Sequence, residues 1–292
     1  MQNTRIDLPT APPGEDWAGE MGARWLAGID QFESMIAPIG SALLAKAAIG
    51  SGERVLDLGC GGGATSLEMG VLVGPTGSVT GIDISPDLVG QAKKRAEAAN
   101  LRNVQFEYVD AAIYRPRATF DRMVSRFGSM FFPHPVEAFR NLHGCLTSGG
   151  RIDLAVWGPP RDNPWMMEMM GVLRRHIEVP PAVPRAPGPF AFEDTDYLAS
   201  VLIEAGFTDI DIVSYEGLQP IGGAGGTPGS AMNFAMSSLA AGRLMEDQTE
   251  SLRLSVRDDL QTMFARHYTE GRGVMMAGKV WLVTAFASPS RH

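Results

Sequence analysis

Three carboxylates close short apolar runs: Asp57 in Val55-Leu56-Asp57-Leu58, Asp83 in Val79-Thr80-Gly81-Ile82-Asp83, and Asp110 in Phe106-Glu107-Tyr108-Val109-Asp110. The first run passes directly into the glycine turn Gly59-Cys60-Gly61-Gly62-Gly63, which opens a helix at Ala64. Such a turn lets backbone approach a ligand closely, and the helix N-terminus behind it offers N–H donors and a dipole that favours polar or negative groups. Gly59-x-Gly61-x-x-Ala64 satisfies the dinucleotide fingerprint in its G-x-G-x-x-A form, with Asp83 near the spacing of a ribose-binding acid. On these features alone NAD fits. Asp57 is discordant, because an acid inside the strand end would repel a diphosphate cradled at that loop.

The elements that must position these residues follow from patterning. Trp17, Trp25, Ile29, Phe32, Met35 and Ile36 recur at roughly helical spacing, Pro38 breaks that pattern, and Ser41 to Ala48 reads as a further helix. Residues 1 to about 16 are Pro- and Gly-rich and are expected to be loosely ordered. Strands are predicted at 54–58, 78–84, 104–109, 120–125 and 151–156, alternating with helices, which implies a wound α/β sheet. Ser85-Pro86 is a helix start, with Ser85 as N-cap and Pro86 at the first helical position. All three acids then fall at the carboxyl edge, where open α/β sheets bind ligands. Beyond Trp157 the texture changes to a Met-rich segment (Trp165-Met166-Met167-Glu168-Met169-Met170) and a Pro-rich tract. A helix over 195–205, a sixth strand over 210–215, two helices over 228–242 and 246–269 and a last strand over 280–286 complete the expected layout.

A ligand that has no phosphates and carries positive charge suits Asp57. S-adenosylmethionine is such a ligand: its ammonium and sulfonium attract carboxylates, its own carboxylate takes backbone N–H groups, and its ribose needs acceptors. The chain resembles the class I SAM-dependent methyltransferases, within them a bacterial group related to the ubiquinone/menaquinone-biosynthesis type. The resemblance is carried by VLDLGCGGGATS (55–66), VTGIDIS (79–85), FEYVDAA (106–112), FDRMVSRFGSMFF (120–132), LTSGGRIDLAVW (146–157), Asn163-Pro164-Trp165 and VWLVTAFA (280–287). It implies a seven-stranded Rossmann-like sheet whose last strand is antiparallel, with an N-terminal helical cap (1–50), a SAM-binding core (51–157) and a remainder (158–292) carrying cover insertions at about 158–192 and 217–278. It places Asp57, Gly59, Gly61 and Gly63 around the methionyl part of the cofactor, with Asp57 acting on the ammonium through water. Asp83 would take both ribose hydroxyls, Ile84 the adenine ring, Asp110 the adenine amine, and Ala111 would offer its backbone. Ser125 and Arg126 would line the cofactor near its sulfur. Trp17 and Trp25, with Gly22 between them, look like segments that lie over the cofactor in relatives.

Other candidates are weighed against plainer readings. His134, in Phe132-Pro133-His134-Pro135 after the fourth strand, is the candidate general base, since histidine titrates in the useful range; a loop histidine between prolines can equally be held by solvent. His143 reads as structural, while His176 and His267 are placed where either could touch substrate. Cys60 reads as a small packing residue, and the two cysteines, Cys60 and Cys145, suggest neither a disulfide nor a metal cluster. Trp157, Trp165, Met166 and Met169 are either core filler or an adaptable apolar wall for an aromatic or isoprenoid-like acceptor. With 16 methionines, several of them in the second insertion (Met232, Met236, Met263, Met275, Met276), the composition favours the wall. A net charge of −8 with no basic run argues against a nucleic-acid partner. No apolar leader and no run long enough to span a membrane are visible, so the expected location is the cytoplasm. The acceptor is expected to be a small molecule methylated on O, N or C; the alternatives are an NAD-dependent oxidoreductase using the same loop, which lacks a Tyr-x-x-x-Lys set, and a non-catalytic SAM-binding protein. No acid and amide cluster near the fourth and fifth strands calls for a metal.

Overall fold

A computed structural model describes residues 15–288. The expectation of loose order for the first sixteen residues therefore falls mostly outside the described residues. Two helices, α1 (Glu20–Ala27) and α2 (Ile29–Ala47), lead into alternating β1 (Arg54–Leu58), α3 (Ala64–Val73), β2 (Ser78–Asp83), α4 (Pro86–Ala98), β3 (Val104–Tyr108), β4 (Phe120–Arg126), α5 (Pro135–His143) and β5 (Leu146–Trp157). Then follow α6 (Pro164–Leu173), α7 (Thr195–Glu204), β6 (Phe207–Pro220), α8 (Pro228–Ser238), α9 (Ala240–Met245), α10 (Glu250–Ala265), the two-residue β7 (Tyr268–Thr269) and β8 (Gly273–Ala287).

The sheet runs β3-β2-β1-β4-β5-β8-β6, and β7 pairs only with β8. Strands β1 to β5 are parallel, while β8 lies antiparallel between β5 and β6. This is the doubly wound sheet with an inserted antiparallel last strand that the resemblance implies. The order reverses at β1 and β4, and the crevice above their carboxyl ends is where such a sheet binds ligands. Central β1 is apolar along its length because both faces are covered: Val55, Leu56 and Leu58 are buried, and Asp57 is buried with them. Ser85 caps α4 by accepting from the Leu88 N–H, with Pro86 at the first position, as the sequence predicts.

Several boundaries differ from expectation. Pro38 does not break the N-terminal helix; α2 runs through it. Proline removes one helical hydrogen bond, and the face formed by Phe32, Met35, Ile36, Ile39 and Leu43, all buried, holds the helix together across the gap. The β6/β8 hairpin is longer than the 210–215 and 280–286 runs suggest, pairing from Phe207 with Ala287 to Pro220 with Met275. Weak β-formers such as Gly217 and Gly278 are drawn into the ladder by their partners. The helix expected over 228–242 is two, since Leu239 is extended (φ −95°, ψ −178°). The next begins only at Glu250, where the Thr249 side chain caps it by accepting from the Leu252 N–H.

Candidate functional site

The glycine turn between β1 and α3 is built by hydrogen bonds to the neighbouring strand: the Gly59 and Cys60 N–H groups both donate to the Ile82 carbonyl, at 2.9 and 3.0 Å. Gly59 and Gly61 adopt left-handed φ values of +66° and +53°, which cost glycine no steric penalty. A Cβ on Gly59 would lie 2.7 Å from Gly128 Cα, so the turn and the segment after β4 pack backbone against backbone. Asp83 ties the turn down from the next strand. One carboxylate oxygen accepts from the Gly61 N–H and the other from the Ser85 N–H, each at 2.8 Å. Burial raises the Asp83 pKa, and those backbone donors oppose the shift. Asp110 stands at the end of β3 and accepts from the Ala112 N–H at 2.8 Å, capping a short 3-10 turn.

These residues converge on a cavity of about 430 Å³, within the range of small-ligand sites. Gly59, Gly61, Asp83, Ile84, Asp110 and Ala111 line it. Trp157, Trp165, Met166, Met130, Phe131 and Phe132 line it too, and Trp17 and Trp25 come in from the N-terminal segment. Trp17 stands edge-on to Trp25 and Phe131, with ring centroids 5.8 and 4.8 Å apart. Phe127 stacks on Trp157 at 4.5 Å and holds a left-handed φ of +70°, a conformation that a bulky residue adopts only where its surroundings impose it.

Other expected site residues are placed elsewhere. Asp57 lies behind the turn, 1% exposed, and accepts the Ser66 hydroxyl at 2.5 Å. Burial pushes its pKa up to about 6, against the Ser66 hydrogen bond and the Arg126 charge. Gly63 caps α3 and packs on Ala92 and Phe106, where a Cβ would clash at 2.9 Å, so its role is packing. Ser125 is fully buried, and its hydroxyl donates to the Leu58 carbonyl at 2.8 Å; strand alternation turns it away from the cavity that Arg126 lines. Met169 is fully buried in the core, and Met263 and Met276 join it there. His134 is exposed at the N-terminal end of α5 and is not among the residues around the cavity. His176 pairs with Asp259 and His267 with Glu168, each at 2.9 Å, and the two pairs tie the α6 region to the α10 region instead of facing the cavity. Cys60 is buried and its thiol pKa is pushed up by that burial, as befits a packing residue.

Sequence reasoning missed Phe127, Met130, Met35, Ile36 and the Ser238–Ala240 segment as cavity residues. The first two sit in the SRFGSMFF stretch and could have been found from it. The others reach the site only because α2 and the α8/α9 break fold over it.

The chain has a Rossmann-like α/β fold with a cavity at the carboxyl edge of its sheet. A family model described as a methyltransferase domain matches residues 49–157. Aklanonic acid methyltransferase DauC of Streptomyces sp. (strain C5) is 37% identical over 116 residues, covering 39% of this chain and 53% of that protein. Demethylmenaquinone methyltransferase of Listeria welshimeri is 30% identical over 102 residues, covering 35% of this chain and 43% of that protein. The chain thus spans about half the length of the curated relatives it matches. The crystal structure of the [4+2]-cyclase SpnF aligns over 97% of this chain and 99% of its own, with a TM-score of 0.57 and 16% identity, a likeness of fold. The match of residues 49–157 to a methyltransferase domain makes S-adenosylmethionine the cofactor against which the site is tested.

The residues fit that cofactor. Asp83 and Asp110 each keep acceptor capacity beyond their backbone bonds, the loop glycines leave backbone open at the cavity, and a Cβ on Gly61 would meet only the Trp25 indole nitrogen, at 3.8 Å. The buried Trp17 indole N–H has no partner among the described residues, although the indole lines the cavity.

Proposed function

We propose that the protein binds S-adenosylmethionine at the β1–β4 crevice and methylates a small apolar or aromatic acceptor on oxygen, nitrogen or carbon. The observation that carries this reading is a single cavity lined both by strand-end acids and loop glycines and by aromatic and methionine side chains. Asp83 takes the ribose hydroxyls, Ile84 covers the adenine and Asp110 accepts from its amine, with the Ala111 backbone beside them. Gly59 and Gly61 cradle the methionyl part. Asp57 acts at one remove, holding α3 and the turn through Ser66 instead of touching the ligand. When bound, the cofactor supplies an electrophilic methyl group and leaves as S-adenosylhomocysteine.

The chain's own contribution is placement and exclusion of water. Phe127, Trp157, Trp165, Met166 and Phe131 provide an apolar wall that fixes an acceptor ring. Holding donor and acceptor in line in a dry site can account for about 7 to 11 kcal/mol of a barrier in favourable cases. No side chain of the wall is a general base, and His134 stands outside it, so an acidic or already nucleophilic acceptor suits the site. The names of two relatives, one acting on aklanonic acid and one on demethylmenaquinone, accord with a ring acceptor. The test is formation of S-adenosylhomocysteine from S-adenosylmethionine with a panel of phenols, aromatic acids, amines and quinols. Turnover with ring acceptors supports the proposal; cofactor binding without product from any acceptor would leave a non-catalytic protein.

A further inference from the structure

Arg126 ends β4, lines the cavity and is only partly exposed. Its register neighbour two residues back, Val124, pairs with Asp57, so Arg126 and Asp57 leave the same face of the sheet. Among the described residues Arg126 makes no side-chain hydrogen bond, and no carboxylate comes within 4.0 Å of it. The acids whose charge reaches it are Asp57, Glu33 and Glu68. Asp57 is committed to Ser66, and Glu33 takes Arg95 at 2.6 and 2.8 Å; Glu68 is exposed. The other arginine on the cavity wall, Arg243, is paired with Glu15 at 2.7 Å. Arg126 is thus a partly buried cation on a cavity also lined by Met35, Ile36, Phe127 and Trp157, with no counter-ion among the described residues, an arrangement that is costly unless a partner arrives.

The guanidinium packs against the glycine face of α2. Gly40 lies within α2, where glycine is unfavourable compared with alanine. A Cβ there would stand 2.6 Å from Arg126 Nη1, so the missing methyl group makes room for the guanidinium against the helix. A sulfonium in contact with the guanidinium would be repelled, which speaks against the place near the sulfur that the sequence resemblance implies. The planar fork of an arginine matches a carboxylate with two parallel hydrogen bonds.

We infer that Arg126 is the carboxylate anchor of the cavity. The anchored group belongs either to the amino-acid tail of the cofactor or to an acidic acceptor, and the inference rests on the cofactor reading above.

The test uses the full chain, cleared of bound nucleotide, and calorimetric titration. S-adenosylhomocysteine is compared with 5′-methylthioadenosine, which has the same adenosine and thioether but no carboxylate. On the protein saturated with S-adenosylhomocysteine, 2-naphthoate is compared with 2-naphthamide. If the cofactor tail is the partner, Arg126→Met weakens S-adenosylhomocysteine by about tenfold or more and leaves 5′-methylthioadenosine unchanged. Gly40→Ala, which keeps the charge but displaces it, goes the same way to a smaller extent. If the acceptor is the partner, S-adenosylhomocysteine is unaffected, the wild type prefers 2-naphthoate to the amide, and Arg126→Met abolishes that preference. Two results overturn the inference: equal loss of S-adenosylhomocysteine and 5′-methylthioadenosine in both variants, or no loss of either with no preference for the acid in the wild type. The wild-type arm stands even where Arg126→Met fails to fold. A wild type that binds neither adenosine compound refutes the cofactor reading itself, and the inference falls with it.

Discussion

Asp57→Asn tests how the acid in β1 is held. Asp57 is 1% exposed and its folded pKa is pushed from 3.8 to about 6, first by burial. The folded state therefore binds the proton more tightly than the unfolded chain. Its contribution to stability is fully present below about pH 3.8 and is lost as pH rises toward 6, because the unfolded chain gives up the proton first. A shift of about two units is worth about 3 kcal/mol, of which about 2 kcal/mol falls between about pH 4.5 and 7.5. Asparagine keeps an oxygen for the Ser66 hydroxyl and does not titrate. The stability of Asp57→Asn relative to wild type should accordingly rise by about 2 kcal/mol across that range. Urea unfolding at several pH values measures it, and other titrating groups cancel in the difference between the two proteins. Parallel stability curves would refute the argument, and would mean that Arg126 and Ser66 fully compensate the buried charge.

Asp83→Ala removes the acceptor for two backbone donors and, on the proposed cofactor reading, for the ribose, so S-adenosylhomocysteine binding should weaken by about tenfold to a hundredfold in a calorimetric titration. His134→Ala should change turnover less than about twofold at every pH, because an exposed histidine outside the cavity has no proton to move there; a pH–rate profile that loses a limb would contradict this placement. Gly128→Ala would set a Cβ 2.6 Å from the Leu58 carbonyl oxygen and 2.8 Å from Gly59 Cα. The expected outcome is a loss of about 1 to 3 kcal/mol in thermal or urea unfolding, with weaker cofactor binding, since backbone cannot yield as a side chain would.

Much of the architecture was legible because it is local. The run Val55 to Leu58 followed by glycines, the Ser85-Pro86 helix start and the acids at the ends of β1, β2 and β3 are short-range signals, and the structure sets these elements where the periodicity places them. The β8 insertion between β5 and β6 came from resemblance, since pairing order leaves no mark within either strand. The site divides in the same way. Asp83, Ile84, Asp110, Ala111, Gly59 and Gly61 reach the cavity because a strand end and a turn dictate where they point.

Residue type and spacing could not tell Ser125 from Arg126, or Met166 from Met169. In each pair one member faces the cavity and the other the core, a matter of which side of a strand or helix the rest of the chain covers. His134, His176 and His267 have the chemistry of a base, but packing gave one to solvent and two to carboxylates across α6 and α10. The sequence by itself determined a doubly wound sheet with a glycine turn and acids along one edge, since these follow from local propensity and alternation. Only the tertiary structure decided that Arg126 has no counter-ion among the described residues and that it packs against Gly40 of α2, because both depend on contacts between segments far apart in the chain.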